Sequence, residues 1–230
     1  MKQNEELIRD VPLLARLPQP DLRAIASRGH VRSFTSGAVI FREGDPGDSL
    51  HVIVEGAVRI SVLSASGGEA TVALLGPGEF VGDLALLDGR PRSASAIAAQ
   101  PTKTLVVTRD DFARWLSERP QAALALLEAL SLRVRRTDET LTDLTFLALP
   151  HRLAKRLLNL ATTHPEMQSA GRGAAGGVRL RITQAELASM LGVSRESVNK
   201  QLNEFVREGW VTLGRGSVTV LDAEALRTFV

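Results

Sequence analysis

Cysteine and tyrosine are both absent from this chain, and aromatic residues make up only 4% of its 230 residues. Without cysteine there is no disulfide, no thiolate-ligated zinc and no iron–sulfur cluster. Histidine is scarce as well. His30, His51, His151 and His164 are scattered and show no metal-ligand spacing, so no metal site is expected. No apolar run is long enough to span a bilayer, and Met1 to Asp10 is too polar for a signal peptide. A cytoplasmic protein without a membrane partner is therefore expected. The missing Tyr and Cys also explain why a net charge of only +2 accompanies a pI near 9.5. Nothing titrates between histidine and lysine, so a small positive excess carries the pI far up, and the pI alone says little about polyanionic partners. Distribution says more: basic residues cluster over 151–156 and 172–215, whereas 43–55 and 79–88 lean acidic.

At 44% hydrophobic and 23% charged, the composition is that of a globular chain long enough for one large or two ordinary domains. Residues 7–28 read as short helices, with Leu13, Leu14, Leu17, Leu22, Ile25 and Ala26 near helical spacing and Pro18 and Pro20 interrupting them. Over 30–108 the pattern changes to short β-branched runs separated by turn signals. The runs at 38–41, 50–54, 58–63 and 71–75 are each followed by glycine-containing turns, and 105–107 reads as the last strand. That regular spacing predicts an all-β barrel or sandwich.

Thr108 then predicts a helix cap with Asp110 and Asp111 in the first turn, and Pro120 suits a first helical position. Leu127, Leu130, Val134, Thr137, Leu141, Leu144 and Ala148 follow at alternating steps of three and four, an a/d heptad seam with polar residues between its members. A helix packed only on its own domain shows a wider apolar stripe. The narrow seam predicts a self-paired helix and hence a homodimer. A further helix is expected over 149–165, then a Gly/Ala-rich loop over 168–177.

Near the C-terminus the parts come in a telling order. A short strand is expected at 179–182. Thr183-Gln184-Ala185-Glu186 is a capping box opening a helix, Gly192-Val193 a tight turn with Val193 inward, and Ser194 the cap of a second helix with Val198, Leu202 and Phe205 on its inner face. A two-stranded hairpin over 209–221, turning at Gly214-Arg215-Gly216, completes a winged helix-turn-helix. Arg195, Glu196, Asn199 and Lys200 point away from the apolar face of the second helix. Arginine forks onto guanine O6 and N7, and a carboxylate accepts from cytosine N4. Double-stranded DNA is the expected partner, with Thr183, Gln184, Ser194 and Arg215 as flanking candidate contacts. Enzymatic function is not expected: there is no nucleophile–base pair, no metal cluster and no phosphate-cradling glycine loop leading into a helix.

Two motifs carry a resemblance. Gly82-Asp83-Leu84-Ala85 followed by Pro91-Arg92-Ser93-Ala94 resembles a cyclic-nucleotide phosphate cassette, and Ser194-Arg195-Glu196-Ser197-Val198-Asn199-Lys200 resembles the start of a recognition helix. In these motifs and in the order of its parts, the chain resembles the Crp/Fnr family over essentially its whole length. The resemblance implies an α+β, two-domain fold: a β-roll (cyclic-nucleotide-binding jelly roll) over 1–108, a dimerisation helix over 109–148 and a winged helix-turn-helix over 149–230. It implies cyclic AMP as effector, with cyclic GMP or cyclic di-GMP as alternatives, and RNA polymerase as a further partner. By it, Arg92 and Ser93 hold the cyclic phosphate, Asp83 accepts the ribose 2′-hydroxyl where many cyclic-AMP binders carry Glu, and Thr137 and Asp138 meet the adenine. By it too, Arg195, Glu196 and Lys200 read TGTGA-like half-sites.

Overall fold

The computed structural model describes residues 19–63, 69–168 and 177–230. The expected helical stretch before residue 19, the turn at 66–68 and nearly all of the Gly/Ala-rich loop lie outside the described residues. The chain divides into two compact units, with the main division after Arg136.

The first unit opens with α1 (Gln19–Arg28). Its strands are β1 (His30–Phe34), β2 (Val39–Phe41), β3 (Ser49–Glu55), β4 (Val58–Leu63), β5 (Glu69–Leu75) and β6 (Phe80–Val81), then, after helix α2 (Asp83–Asp88), β7 (Ser95–Ala98) and β8 (Thr102–Thr108). They form two four-stranded sheets, ordered β1-β8-β3-β6 and β2-β7-β4-β5. This is the expected double-sheeted β-roll.

Strand β3 shows why these residues make this architecture. Side chains alternate across a strand. Leu50 and Val52 face a core shared with helices, whereas Ile53 faces a second core with Val58, Val81 and Ala96. The helices on the first core are α1, α3 (Arg109–Glu118) and the start of α4 (Pro120–Phe146). They contribute Ile25, Phe112, Trp115, Ala122 and Leu126. Thr108 caps α3 as expected, its hydroxyl accepting from the Asp111 amide at 3.3 Å.

Two corrections concern helices. From sequence, no phosphate-cradling glycine loop that leads into a helix is expected, but Gly82, at φ 89°, leads straight into α2. Six residues with only three buried positions give too little periodicity to read. The seam on α4 also stops early: the helix ends at Phe146, and Ala148 is instead the extended residue that begins α5 (Leu149–Thr163). Pro150 in the first turn of α5 explains the break, since it lacks the amide that would donate to the Phe146 carbonyl in a continuous helix and its ring crowds that carbonyl. Of the remaining seam residues, Leu127, Val134, Leu141 and Leu144 are each more than half exposed in the single chain and Thr137 is exposed, whereas Leu130 is half-buried against the first core.

The second unit contains α5, β9 (Val178–Leu180), α6 (Gln184–Leu191), α7 (Arg195–Arg207), β10 (Val211–Gly214), β11 (Ser217–Val220) and α8 (Ala223–Phe229). The expected hairpin β10–β11 is present, but the sheet has three strands: β9 pairs with β11, with Val218 opposite Leu180. Leu180 and Ile182 are both buried, and the expected span 179–182 shares Arg179 and Leu180 with β9, starting one residue late and running past its end. Leu153, Leu157, Leu187, Leu202 and Phe205 are buried together with Leu226. Phe229 closes the unit by packing on Phe205, Trp210 and the His151 ring, which it stacks at 4.7 Å.

Candidate functional site

Two sites emerge, one in each unit. In the first unit, Gly82, Asp83 and Arg92 are brought together at the junction of β6 and α2. Gly82 has no alternative residue: a Cβ there would lie 2.2 Å from Arg92 Nη1 and 2.9 Å from the Ser49 carbonyl oxygen, and φ is positive besides. Arg92 is 4% exposed. Its Nη1 donates to the Gly82 carbonyl at 2.9 Å, and its Nη2 donates to the Ser49 carbonyl at 2.7 Å and hydroxyl at 3.2 Å. Asp48 lies 3.8 Å from Nη2, a long and solvent-facing ion pair. Burial pushes the Arg92 pKa below its ordinary value, partly offset by Asp48 and Asp45. The Nε–H is buried and has no hydrogen-bond partner among the described residues. An unsatisfied buried donor on a cation is costly, and an anionic oxygen would satisfy it.

Asp83 is 1% exposed and already has a cationic neighbour. Arg133 of α4 reaches both carboxylate oxygens through Nη1, at 3.0 and 3.1 Å, and donates through Nη2 to the Phe80 carbonyl at 2.8 Å. Its guanidinium also lies 5.1 Å from the Phe80 ring centroid. Arg136, one turn on, pairs with Glu79. Arg133 was not among the expected site residues. The signal was there: Arg133 precedes Thr137 by four positions and so shares its face of the helix. Ala85 is buried beside Asp83, Leu84 is half exposed, and Ser93 is exposed. Thr137 and Asp138 are exposed positions of α4 just past the division of the chain.

In the second unit, the Thr183 capping box is complete. Its hydroxyl accepts from the Glu186 amide at 3.2 Å, and the Glu186 carboxylate accepts from the Thr183 amide at 2.7 Å. Gly192 takes φ 65° to stop α6, and the Arg152 guanidinium caps the freed Leu191 carbonyl at 3.0 Å. Val193 is half-buried at the turn. The Ser194 hydroxyl then accepts from the Ser197 amide at 3.2 Å, starting α7. Val198, Leu202 and Phe205 face inward, as expected. Arg195, Glu196, Asn199 and Lys200 are exposed on the opposite side, and Gln184 donates to the Asn199 side-chain oxygen at 3.0 Å, tying the two helices. Hydrogen bonds from its own backbone amide and from Ser194, with Arg195 nearby, hold the Glu196 carboxyl below the usual carboxylate range, so it is an ionised acceptor. Thr183, Gln184, Arg195, Gly214 and Gly216 line one concave surface, with Arg215 exposed on the turn of the wing. Among the described residues no group of side chains could hold a metal ion, and no helix is long and apolar enough to cross a membrane.

A β-roll with a buried guanidinium and carboxylate at one glycine turn, and a winged helix-turn-helix with a charged outward face, together define a ligand-sensing, DNA-binding regulator. Residues 31–119 match the cyclic nucleotide-binding domain, and residues 151–229 match the Crp-like helix-turn-helix domain. The chain is 37% identical to a CRP-like cAMP-activated global transcriptional regulator of Mycobacterium tuberculosis over 84% of each chain. It is 35% identical to the cyclic AMP receptor protein of Thermus thermophilus over 94% of each. Among solved structures, a CRP/FNR-family transcriptional regulator from Thermus thermophilus superimposes with a TM-score of 0.75 at 30% identity, covering 86% of this chain and 97% of the other. The c-di-GMP-responsive global regulator CLP of Xanthomonas campestris shares the fold, with a TM-score of 0.78 at 23% identity, covering 89% and 100%. The chain belongs to the Crp/Fnr family: it is a CRP-like DNA-binding transcription regulator with a cyclic nucleotide-binding domain.

Proposed function

We propose that this regulator is a cytoplasmic homodimer that binds cyclic AMP and then reads a two-fold symmetric site with TGTGA-like half-sites. The observation that carries the reading is the Arg92–Gly82–Asp83–Arg133 cluster. A buried guanidinium with a free Nε–H suits an anionic phosphate. Next to it, the Asp83 carboxylate keeps lone pairs beyond those that Arg133 uses, enough to accept a ribose hydroxyl. Gly82, Leu84 and Ala85 shape the turn, and Ser93 adds a hydroxyl to the phosphate. Thr137 and Asp138 meet the adenine one turn beyond Arg133 on α4. The names of two relatives quoted above, the Mycobacterium tuberculosis regulator and the Thermus thermophilus receptor protein, specify cyclic AMP.

The three functional parts are the sensor built on the β-roll, the dimer helix α4 and the reader over 149–230. The exposed leucine and valine seam on α4 supports self-pairing, because such a stripe left in water is unfavourable. Ligand binding selects one arrangement of the paired helices, which sets the two copies of α7 one DNA turn apart, about 34 Å. Arg195 forks onto guanine, Glu196 accepts from the opposing cytosine, and Asn199 and Lys200 complete the contact. Thr183, Gln184, Ser194 and Arg215 hold the flanking backbone, and RNA polymerase is engaged from the bound dimer.

A second reading, in which cyclic GMP, cyclic di-GMP or no ligand is the signal, has one observation in its favour. Asp83 is shorter than the glutamate common in cyclic-AMP binders and is already bridged by Arg133. Isothermal titration of the dimer with all three nucleotides, with Arg92→Ala as control, separates the readings. Saturable cyclic AMP binding that the substitution removes supports the first. Binding of another nucleotide, or of none, supports the second.

A further inference from the structure

Arg92 is fixed on three sides. Its backbone is tied to the loop after β2, where the Arg92 amide donates to the Asp45 carbonyl and the Gly44 amide donates to the Arg92 carbonyl, both at 2.9 Å. Its two terminal nitrogens are held by Gly82 and Ser49, as described above. The third side is an aromatic face: Arg92 Cζ lies 4.2 Å from the Phe41 ring centroid. Behind Phe41 stands His51, with ring centroids 5.9 Å apart. His51 is buried, and its Nδ1 is 3.1 Å from the Thr104 hydroxyl. A chain of contacts, Arg92 on Phe41, Phe41 against the tilted His51 ring and His51 on Thr104, thus runs from the cassette into the β-roll core.

Strand β2 does not need an aromatic ring for its own sake. Its other residues, Val39 and Ile40, are aliphatic, and the backbone pairing of Phe41 with Ala96 is indifferent to the side chain. What the ring supplies is a negative face under a buried cation, an attraction that grows as water is removed. An aliphatic side chain of the same volume fills the space and supplies none of this. His51 stays uncharged in these surroundings, its pKa lowered to about 4 by burial and by the charges of Arg92 and Arg32. It therefore packs on Phe41 without adding a second cation.

We propose that Phe41 is a positioning residue of the effector site: its ring face, backed by His51, holds the Arg92 guanidinium in the plane that presents the Nε–H edge to the anionic group of the ligand. The proposal rests on the reading of this cluster as a cyclic-nucleotide site.

The test uses the full-length protein and Phe41→Leu, Phe41→Met and Phe41→Tyr, with thermal unfolding to check the fold of each. Two quantities are read: cyclic AMP affinity by titration calorimetry, and the Arg92 Nε–H resonance by nitrogen-15 NMR without ligand. Both aliphatic variants should bind cyclic AMP about five- to tenfold more weakly, and Phe41→Tyr should stay within about twofold of wild type. The Arg92 resonance should carry an upfield ring-current shift in wild type and Phe41→Tyr and lose it in the aliphatic variants. Unchanged affinity in folded Phe41→Leu or Phe41→Met, or an Arg92 resonance indifferent to all three substitutions, overturns the proposal. Wild-type protein that binds no cyclic AMP defeats the effector reading, while the NMR comparison still decides whether Phe41 positions Arg92.

Discussion

The two units of this molecule handle charge in opposite ways. At the proposed effector site, Arg92 and Asp83 are 4% and 1% exposed, and each already has protein partners. At the reading end, Arg195, Glu196, Lys200 and Arg215 stand in water. A buried charge has lost its hydration during folding, so it favours a small ligand that completes its hydrogen bonds and penalises one that does not. An exposed charge gives up water only when DNA arrives, and its attraction to phosphate is screened by salt. Selectivity for a small effector therefore belongs to the first arrangement, and fast, salt-sensitive association with a polyanion to the second.

The largest effect that would sharpen this contrast is expected from Arg92→Ala. Truncating one partner of a desolvated, hydrogen-bonded charge pair between protein and ligand costs about 2–5 kcal/mol of binding, so calorimetry should show nucleotide binding weakened about a hundredfold or more. The isolated affinity of the reading end for non-specific DNA should not move.

Next in size is a pH effect confined to the β-roll. His51 has a folded pKa of about 4 against an ordinary 6.5, chiefly through burial. Above pH 6.5 the folded and unfolded states both hold it neutral, and its contribution to stability is complete. As pH falls from 6.5 towards 4 the unfolded chain takes up a proton that the folded chain refuses, so about 3 kcal/mol is lost. Below pH 4 this residue adds no further loss. Denaturant unfolding followed from pH 7 to 4 should show that slope in wild type and its absence in His51→Gln.

Arg195→Ala should cost about 1–3 kcal/mol of specific binding and relax discrimination at the guanine it forks onto. Competition binding with base-substituted half-sites measures this, and undiminished discrimination would refute the contact. The smallest expected effect is at Thr183. Losing the cap in Thr183→Ala should lower the stability of the reading unit by about 1 kcal/mol, visible in its unfolding midpoint.

How well each end could be read from sequence follows from the same contrast. The helix-turn-helix was legible because its signals are local: the Thr183–Glu186 box, Gly192 and the Ser194 cap act within a few residues and the structure forms all of them. Strands β2, β3, β4, β5 and β8 of the β-roll were legible for the same reason, as short β-branched runs between turns, whereas β1, β6 and β7 were not read. What stayed hidden depends on distant pairing. Arg133 meets Asp83 across 50 positions of sequence, and Arg92 meets Ser49 across 43. Strand β9 joins the wing across an intervening pair of helices. Helix α2 was too short to show a period. The heptad pattern ran past its true end because Ala148 is apolar and correctly spaced, while Pro150, which governs the break, was counted only as part of the next helix.

The central claim is that occupancy of the buried site governs the exposed one. Fluorescence anisotropy of a labelled palindromic TGTGA duplex, titrated with the dimer at fixed salt with and without cyclic AMP, tests it most directly. The account predicts that cyclic AMP tightens binding about tenfold or more, within the ordinary range of allosteric coupling, and that Arg92→Ala removes the difference. Equal affinity with and without the nucleotide, in a protein shown to bind it, would contradict the account.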